Sequence, residues 1–117
     1  MALNLPGVDE AKFQELMDGD EDLFITVLTT FVEKTPGTLA KLANPTKETL
    51  EDYRILVHAV KGACATISAE ELRLKALDLE MKAKAGDLAG VLAGNAALLK
   101  EVQEMVDRGK GWLKSHT

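Results

Sequence analysis

Cysteine is almost missing from the 117 residues: Cys64 is the only one. That excludes an internal disulfide and any zinc knuckle built from cysteines. Aromatic residues are scarce too. Phe13, Phe24, Phe31, Tyr53 and Trp112 are too few and too scattered to make a base-stacking platform. Positive charge is in deficit, with 14 Lys and Arg against 19 Asp and Glu, a net charge of −5. That balance argues against nucleic acid as the main ligand, because phosphate binding needs a basic surface. No apolar run approaches the roughly 20 residues that cross a bilayer, so no membrane partner is expected. No charged-then-apolar leader opens the chain, and nothing in it suggests export. The expectation is a single acidic domain in a reducing compartment, most simply the cytoplasm. What is present in quantity is apolar side chain, 46% of the sequence, enough for a sizeable core.

Sustained apolar/polar alternation is lacking, and β-branched residues never cluster between turn signals, so strands are not expected. Helical spacing is found throughout. After a short extended lead-in ending in Pro6-Gly7, Asp9 can cap a first short helix near 9 to 17, with Phe13, Leu16 and Met17 as its stripe. A second helix starts near Asp20. Leu23, Val27 and Phe31 form one seam, widened by Phe24, Leu28 and Val32. Pro36-Gly37 predicts a kink or break, since proline removes a donor and crowds the preceding turn. The third helix is expected from about Thr46 to Ile67, carried by Leu50, Tyr53, Val57, Val60, Cys64 and Ile67. The fourth opens on Ser68-Ala69-Glu70-Glu71, which reads as a capping box, and is carried by Leu72, Ala76, Leu79 and Ala83. Asp87 caps a fifth, carried by Leu88, Val91, Leu92, Leu98, Leu99, Val102, Met105 and Val106. Gly90, Gly94, Gly109 and Gly111 weaken it, so its last turns are expected to fray. Four long amphipathic helices on short turns pack best as an all-α, antiparallel up-and-down four-helix bundle, with the short N-terminal helix lying across one end.

Two histidines exist. His116 stands one residue from the end and reads as a frayed terminal residue. His58 sits mid-helix. At about 100° per residue it points away from the apolar seam of its helix, toward solvent. Lys61 and Gly62, at i+3 and i+4, are its neighbours on the helix surface. Ile55, Ala59, Gly62 and Ala65 surround it with an apolar or very small ring where a solvated face would carry Lys and Glu. A mid-helix glycine costs about 1 kcal/mol against alanine, so Gly62 needs a reason. Either a neighbouring helix approaches closely there, or a partner needs access to the imidazole. Its position on the His58 side favours access. An exposed imidazole beside an ammonium suits a phosphoryl carrier: the ring nitrogen is the nucleophile and the cation offsets the charge it gains. No Walker or kinase-type glycine loop is present, so the chain is not expected to draw phosphate from ATP unaided. A helical scaffold using the same patch without chemistry is the alternative reading.

The segment His58-Ala59-Val60-Lys61-Gly62-Ala63-Cys64 resembles the His-x-x-Lys-Gly signature of histidine-containing phosphotransfer (HPt) domains. Leu72, Leu79-Glu80 and Gly86-Asp87 follow at the family's usual spacing. Gly7-Val8-Asp9, Gly19-Asp20 and Phe31-Val32-Glu33 with Thr35-Pro36 also look familial. The resemblance implies the same bundle, and a phosphocarrier rather than an enzyme with its own turnover. It implies His58 as the phosphorylated residue, Lys61 steadying the phosphoryl oxygens, and Gly62 leaving the ring open. It implies Glu80 orienting the ring through its other nitrogen, and Lys84 as a basic residue near the docking surface. The partners it implies are response-regulator receiver domains, a hybrid histidine kinase, or both. The receiver would supply the Mg²⁺ and this chain would hold no cofactor. One departure is Ser68, where the family usually has a second glycine. Apart from His58 and Glu80 no groups have zinc-ligand spacing, so no metal site is expected. Cys64 and the methionines Met17, Met81 and Met105 read as core or near-core packing, Trp112 as an anchor for the last helix, and the domain as a monomer, either free-standing or part of a larger hybrid kinase.

Overall fold

A computed structural model describes residues 2–117. It contains α1 (Glu10–Met17), α2 (Glu21–Lys41), α3 (Leu50–Thr66), α4 (Glu70–Lys84) and α5 (Leu88–His116), and no strand among the described residues. Three aspartates start helices as expected. The Oδ1 atoms of Asp9, Asp20 and Asp87 accept from the amides of Lys12 (3.1 Å), Leu23 (3.1 Å) and Gly90 (2.8 Å). α3 packs on α4, α4 on α5, α5 on α2 and α2 on α3, closing the ring of a four-helix bundle. α5, at about 1.5 Å per residue, is about 43 Å long. That is nearly the whole 45 Å axis of the molecule.

The extra length of α5 reaches past α3 and α4, and α1 with the N-terminal arm covers it. Trp112 of α5 meets Phe24 of α2 edge-on at 5.5 Å, and Phe24 meets Phe13 of α1 edge-on at 5.4 Å. Trp112 Nε1 donates to the Leu3 carbonyl at 2.7 Å, and Arg108 Nε donates to that of Pro6 at 3.1 Å. Trp112 is thus the anchor its apolar context predicted. Its neighbourhood also overturns two expectations about the tail. α5 does not fray, and His116 is not loose. A Cβ at Gly109 would lie 3.1 Å from both Leu28 and Val32, so this glycine lets α5 seat closely on α2. The His116 ring stacks on Trp112 at 3.8 Å, and its Nδ1 donates to the Trp112 carbonyl at 2.7 Å.

Four other expectations are corrected. Of the kink or break expected at Pro36, the break does not occur: α2 is a single helix from Glu21 to Lys41. Val32, Thr35 and Leu39 are buried on either side of the proline, and their continuous packing outweighs a proline cost of about 3 kcal/mol. α3 begins at Leu50, not Thr46, because Thr46 and Thr49 form a turn of their own. Each hydroxyl accepts the other's amide, at 2.9 and 3.2 Å. Leu16, Leu23, Leu92 and Met81 lie on exposed faces instead of the core. The capping box at Ser68 does not form. Ser68 is left-handed (φ 59°), its amide donates to Ala65 and that of Ala69 to Cys64, which makes the serine the turning residue of a Schellman motif. From there its hydroxyl reaches no amide of α4. It is buried without a partner, and α4 starts with no side-chain cap.

Ser68→Gly is therefore expected to stabilise the fold by about 1–2 kcal/mol, by relieving the left-handed serine and deleting a buried hydroxyl without a bond. A thermal melt checks this; an unchanged or lower midpoint would contradict it.

Candidate functional site

α3 and α4 pack antiparallel, and three side chains meet across them. Val57, Val60 and Cys64 bury one face of α3, which turns His58 outward; its side chain is 62% exposed. Leu72, Ala76, Leu79 and Ala83 bury α4 and carry Glu80 to the seam beside α3, where its side chain is only 11% exposed. His58 Nδ1 donates to Glu80 Oε2 at 2.5 Å. Lys61, one turn on from His58, sets its ammonium 2.7 Å from Glu80 Oε1. Each carboxylate oxygen thus faces one cationic or donor group.

Burial alone would push the Glu80 carboxyl up. Lys61 first, then His58, outweigh that and hold it below the usual value, so it is ionised at neutral pH. An ionised Glu80 accepts only, and so fixes the proton of a neutral His58 on Nδ1. The lone pair of that tautomer is then on Nε2, at the exposed end of the ring.

The other expected residues lie around this point. Ile55 and Ala59 are exposed and Ala65 half-buried, all on the His58 side of α3; Lys84 is exposed on α4, one turn beyond Glu80. Gly62 is exposed as well, and a Cβ there would meet nothing within 4 Å. No neighbouring helix requires a glycine at that position, which rules out the packing explanation and leaves access. Gly62→Ala is expected to raise stability by about 0.5–1 kcal/mol. A thermal melt checks this; a loss of stability would restore the packing explanation.

Two features escaped the sequence reading. One is a groove of about 360 Å³ between α2 and α3, beginning at Ala59 beside His58. Val27, Phe31, Val60 and Ala63 form its apolar part, and Lys34 supplies its only charge. Threonines line the rest of it. However, the hydroxyls of Thr26, Thr30 and Thr66 donate to carbonyls of Asp22, Thr26 and Ala63 in their own helices, so they add little free polarity. The other is a buried relay. Tyr53 Oη donates to Asn95 Oδ1 at 2.9 Å, and Asn95 Nδ2 donates to the Leu42 carbonyl at 2.9 Å, tying α3 and α5 to the end of α2. Burial pushes the Tyr53 hydroxyl up to about 12, and the Cys64 thiol likewise to about 12, so neither ionises at neutral pH. Cys64 is wholly buried, in agreement with a packing role.

The Hpt domain family model matches residues 26–112, which span most of α2, the site and nearly all of α5. The chain belongs to the Hpt domain family, whose members are helical phosphocarriers in phosphorelay signalling. Domains of this family work with response-regulator receiver domains and kinases of two-component systems. No curated protein and no solved structure matches the chain. No helix among the described residues is long and apolar enough to cross a membrane.

Proposed function

We propose that the chain carries a phosphoryl group on Nε2 of His58, between the aspartate of one receiver domain and that of another. The observation that carries this reading is the 2.5 Å contact of His58 Nδ1 with Glu80 Oε2 on a ring whose side chain is 62% exposed. Glu80 holds the Nδ1 proton, and the nucleophilic nitrogen stands in solvent.

The transfer balances without moving a proton. The Nε2 lone pair attacks the phosphorus of an aspartyl phosphate. The bond from phosphorus to the aspartyl oxygen breaks, and the carboxylate leaves with its electron pair. The ring, still protonated at Nδ1, becomes cationic, and the Glu80 carboxylate stabilises the charge that develops. The reverse step, with a second aspartate as nucleophile, returns the ring to neutrality. Mg²⁺ belongs to the receiver in this reading, and His58, Lys61, Gly62 and Glu80 hold no metal. Ile55, Ala59, Ala65 and Lys84 border the approach, and the α2–α3 groove extends it. The chain acts as a cytoplasmic monomer that meets its receivers, or a receiver of a hybrid kinase, in turn.

Mixing with a phosphorylated receiver should place an acid-labile, base-stable phosphate on the wild-type chain and none on His58→Gln. Circular dichroism should show the same helix content for both, because the ring is exposed. Labelling of His58→Gln would refute the assignment. Full partner binding and biological activity in that variant would favour the scaffold reading.

A further inference from the structure

We propose that Arg54 is the cation that faces the phosphoryl oxygens on His58, a positioning role that rests on the carrier reading above. The resting site leaves Lys61 little freedom for it. Its ammonium is 2.7 Å from Glu80 Oε1, and leaving would strip a nearly buried carboxylate of its counter-charge. Arg54 is under no such constraint. It lies four residues before His58 on α3, so the two share a helix face. A helical side chain leans over the turn before its own Cα, which sets the His58 ring above the turn that carries Arg54 and Ile55.

In the resting state the Arg54 guanidinium is parked on Glu51. Nε donates to both carboxylate oxygens at 3.1 Å, and a terminal nitrogen donates to Oε1 at 2.5 Å. Glu51 is 68% exposed, and an exposed pair of this kind gives way readily to a stronger anion. The Glu51 contact is the main cause that raises the basicity of Arg54, and Glu80 adds to it, so the guanidinium already lies within electrostatic reach of the site. A phosphoryl group on Nε2 brings up to two negative charges and paired oxygens that fit a guanidinium fork. Arg54 would exchange one carboxylate for it by a change of rotamer, with no movement of the helix.

The charged groups on the elements packed about His58 are Glu51, Arg54 and Lys61 on α3, Glu80 and Lys84 on α4, and Lys34 of α2, which lines the adjoining groove. The test phosphorylates the full chain with phosphoramidate and follows the phosphohistidine ³¹P signal against pH. Arg54→Gln should raise the phosphoryl titration midpoint by about 0.5–1 pH unit. Arg54→Lys should restore part of the shift. Glu51→Gln, which frees the guanidinium, should lower the midpoint below that of the wild type. A merely structural Arg54 would move the melting temperature and leave these midpoints alone. Coincident titrations of wild type and Arg54→Gln, with the label on His58 in both, would overturn the Arg54 role while leaving the carrier reading intact. A label confined to His116 would overturn both.

Discussion

Lys61→Met is expected to destabilise the fold at neutral pH by about 1–3 kcal/mol and to weaken the dependence of its stability on acid. In the wild type the Glu80 carboxyl is held below its ordinary value. A carboxyl depressed in the folded state stabilises it above the unfolded-state value, and that stabilisation is lost as pH falls through the folded-state value. The wild type should therefore lose this contribution only below about pH 4.5, the ordinary carboxyl range. Without Lys61 the largest opposing influence is gone, and only the His58 contact is left to set against burial, so the carboxyl rises from its wild-type value. A less depressed carboxyl contributes less stability that acid can remove, so the gap between Lys61→Met and the wild type should narrow as pH falls below about 5. Adding Glu80→Gln should recover most of the loss, because the amide needs no counter-charge. Urea denaturation of the three proteins at several pH values measures this directly. Parallel pH profiles for wild type and Lys61→Met would show that Glu80 does not depend on Lys61.

Trp112→Ala should cost about 3–5 kcal/mol, the largest single loss in the molecule. The indole is buried, meets Phe24 edge-on, and holds the Leu3 carbonyl. Truncation opens a cavity where α1, α2 and α5 converge, and it releases the N-terminal arm. A small domain holds only about 5–15 kcal/mol in reserve, so the urea midpoint should fall sharply. Limited proteolysis should then cut the arm near Pro6 before the bundle. The Tyr53–Asn95 relay and the His58 site depend on other contacts, so below the melting temperature the variant should still take a phosphoryl group. A loss under about 1 kcal/mol would mean that α5 is held elsewhere.

The helices were legible wherever burial and periodicity coincide. Leu50, Tyr53, Val57, Val60 and Cys64 are spaced three or four apart and all lie in the core, as do Leu72, Ala76, Leu79 and Ala83. A ring of side chains with one outward residue was enough to place His58 and Gly62. Legibility failed where one local rule competes with tertiary packing or with another local rule. Pro36 should break a helix, but Val32, Thr35 and Leu39 hold α2 against the bundle on both sides. Ser68 and Glu71 match a capping box, but the left-handed turn that ends α3 takes Ser68 first. The groove beside α2 was not legible, because composition does not show that the hydroxyls of Thr26 and Thr30 are turned back onto their own helix. Asn95 sits in a run of alanine and glycine, and nothing local signals that Tyr53, 42 residues earlier, binds it. The Lys61–Glu80 contact was likewise out of reach, since it depends on the register of α3 against α4.

The most direct test is nitrogen NMR of the His58 ring, before and after phosphorylation by a phosphorylated receiver domain. The resting ring should be protonated at Nδ1, in the tautomer that Glu80 fixes, and phosphorus should then couple to Nε2 of the same residue. A resting ring protonated at Nε2, or phosphorus on Nδ1 or on any other residue, would contradict it.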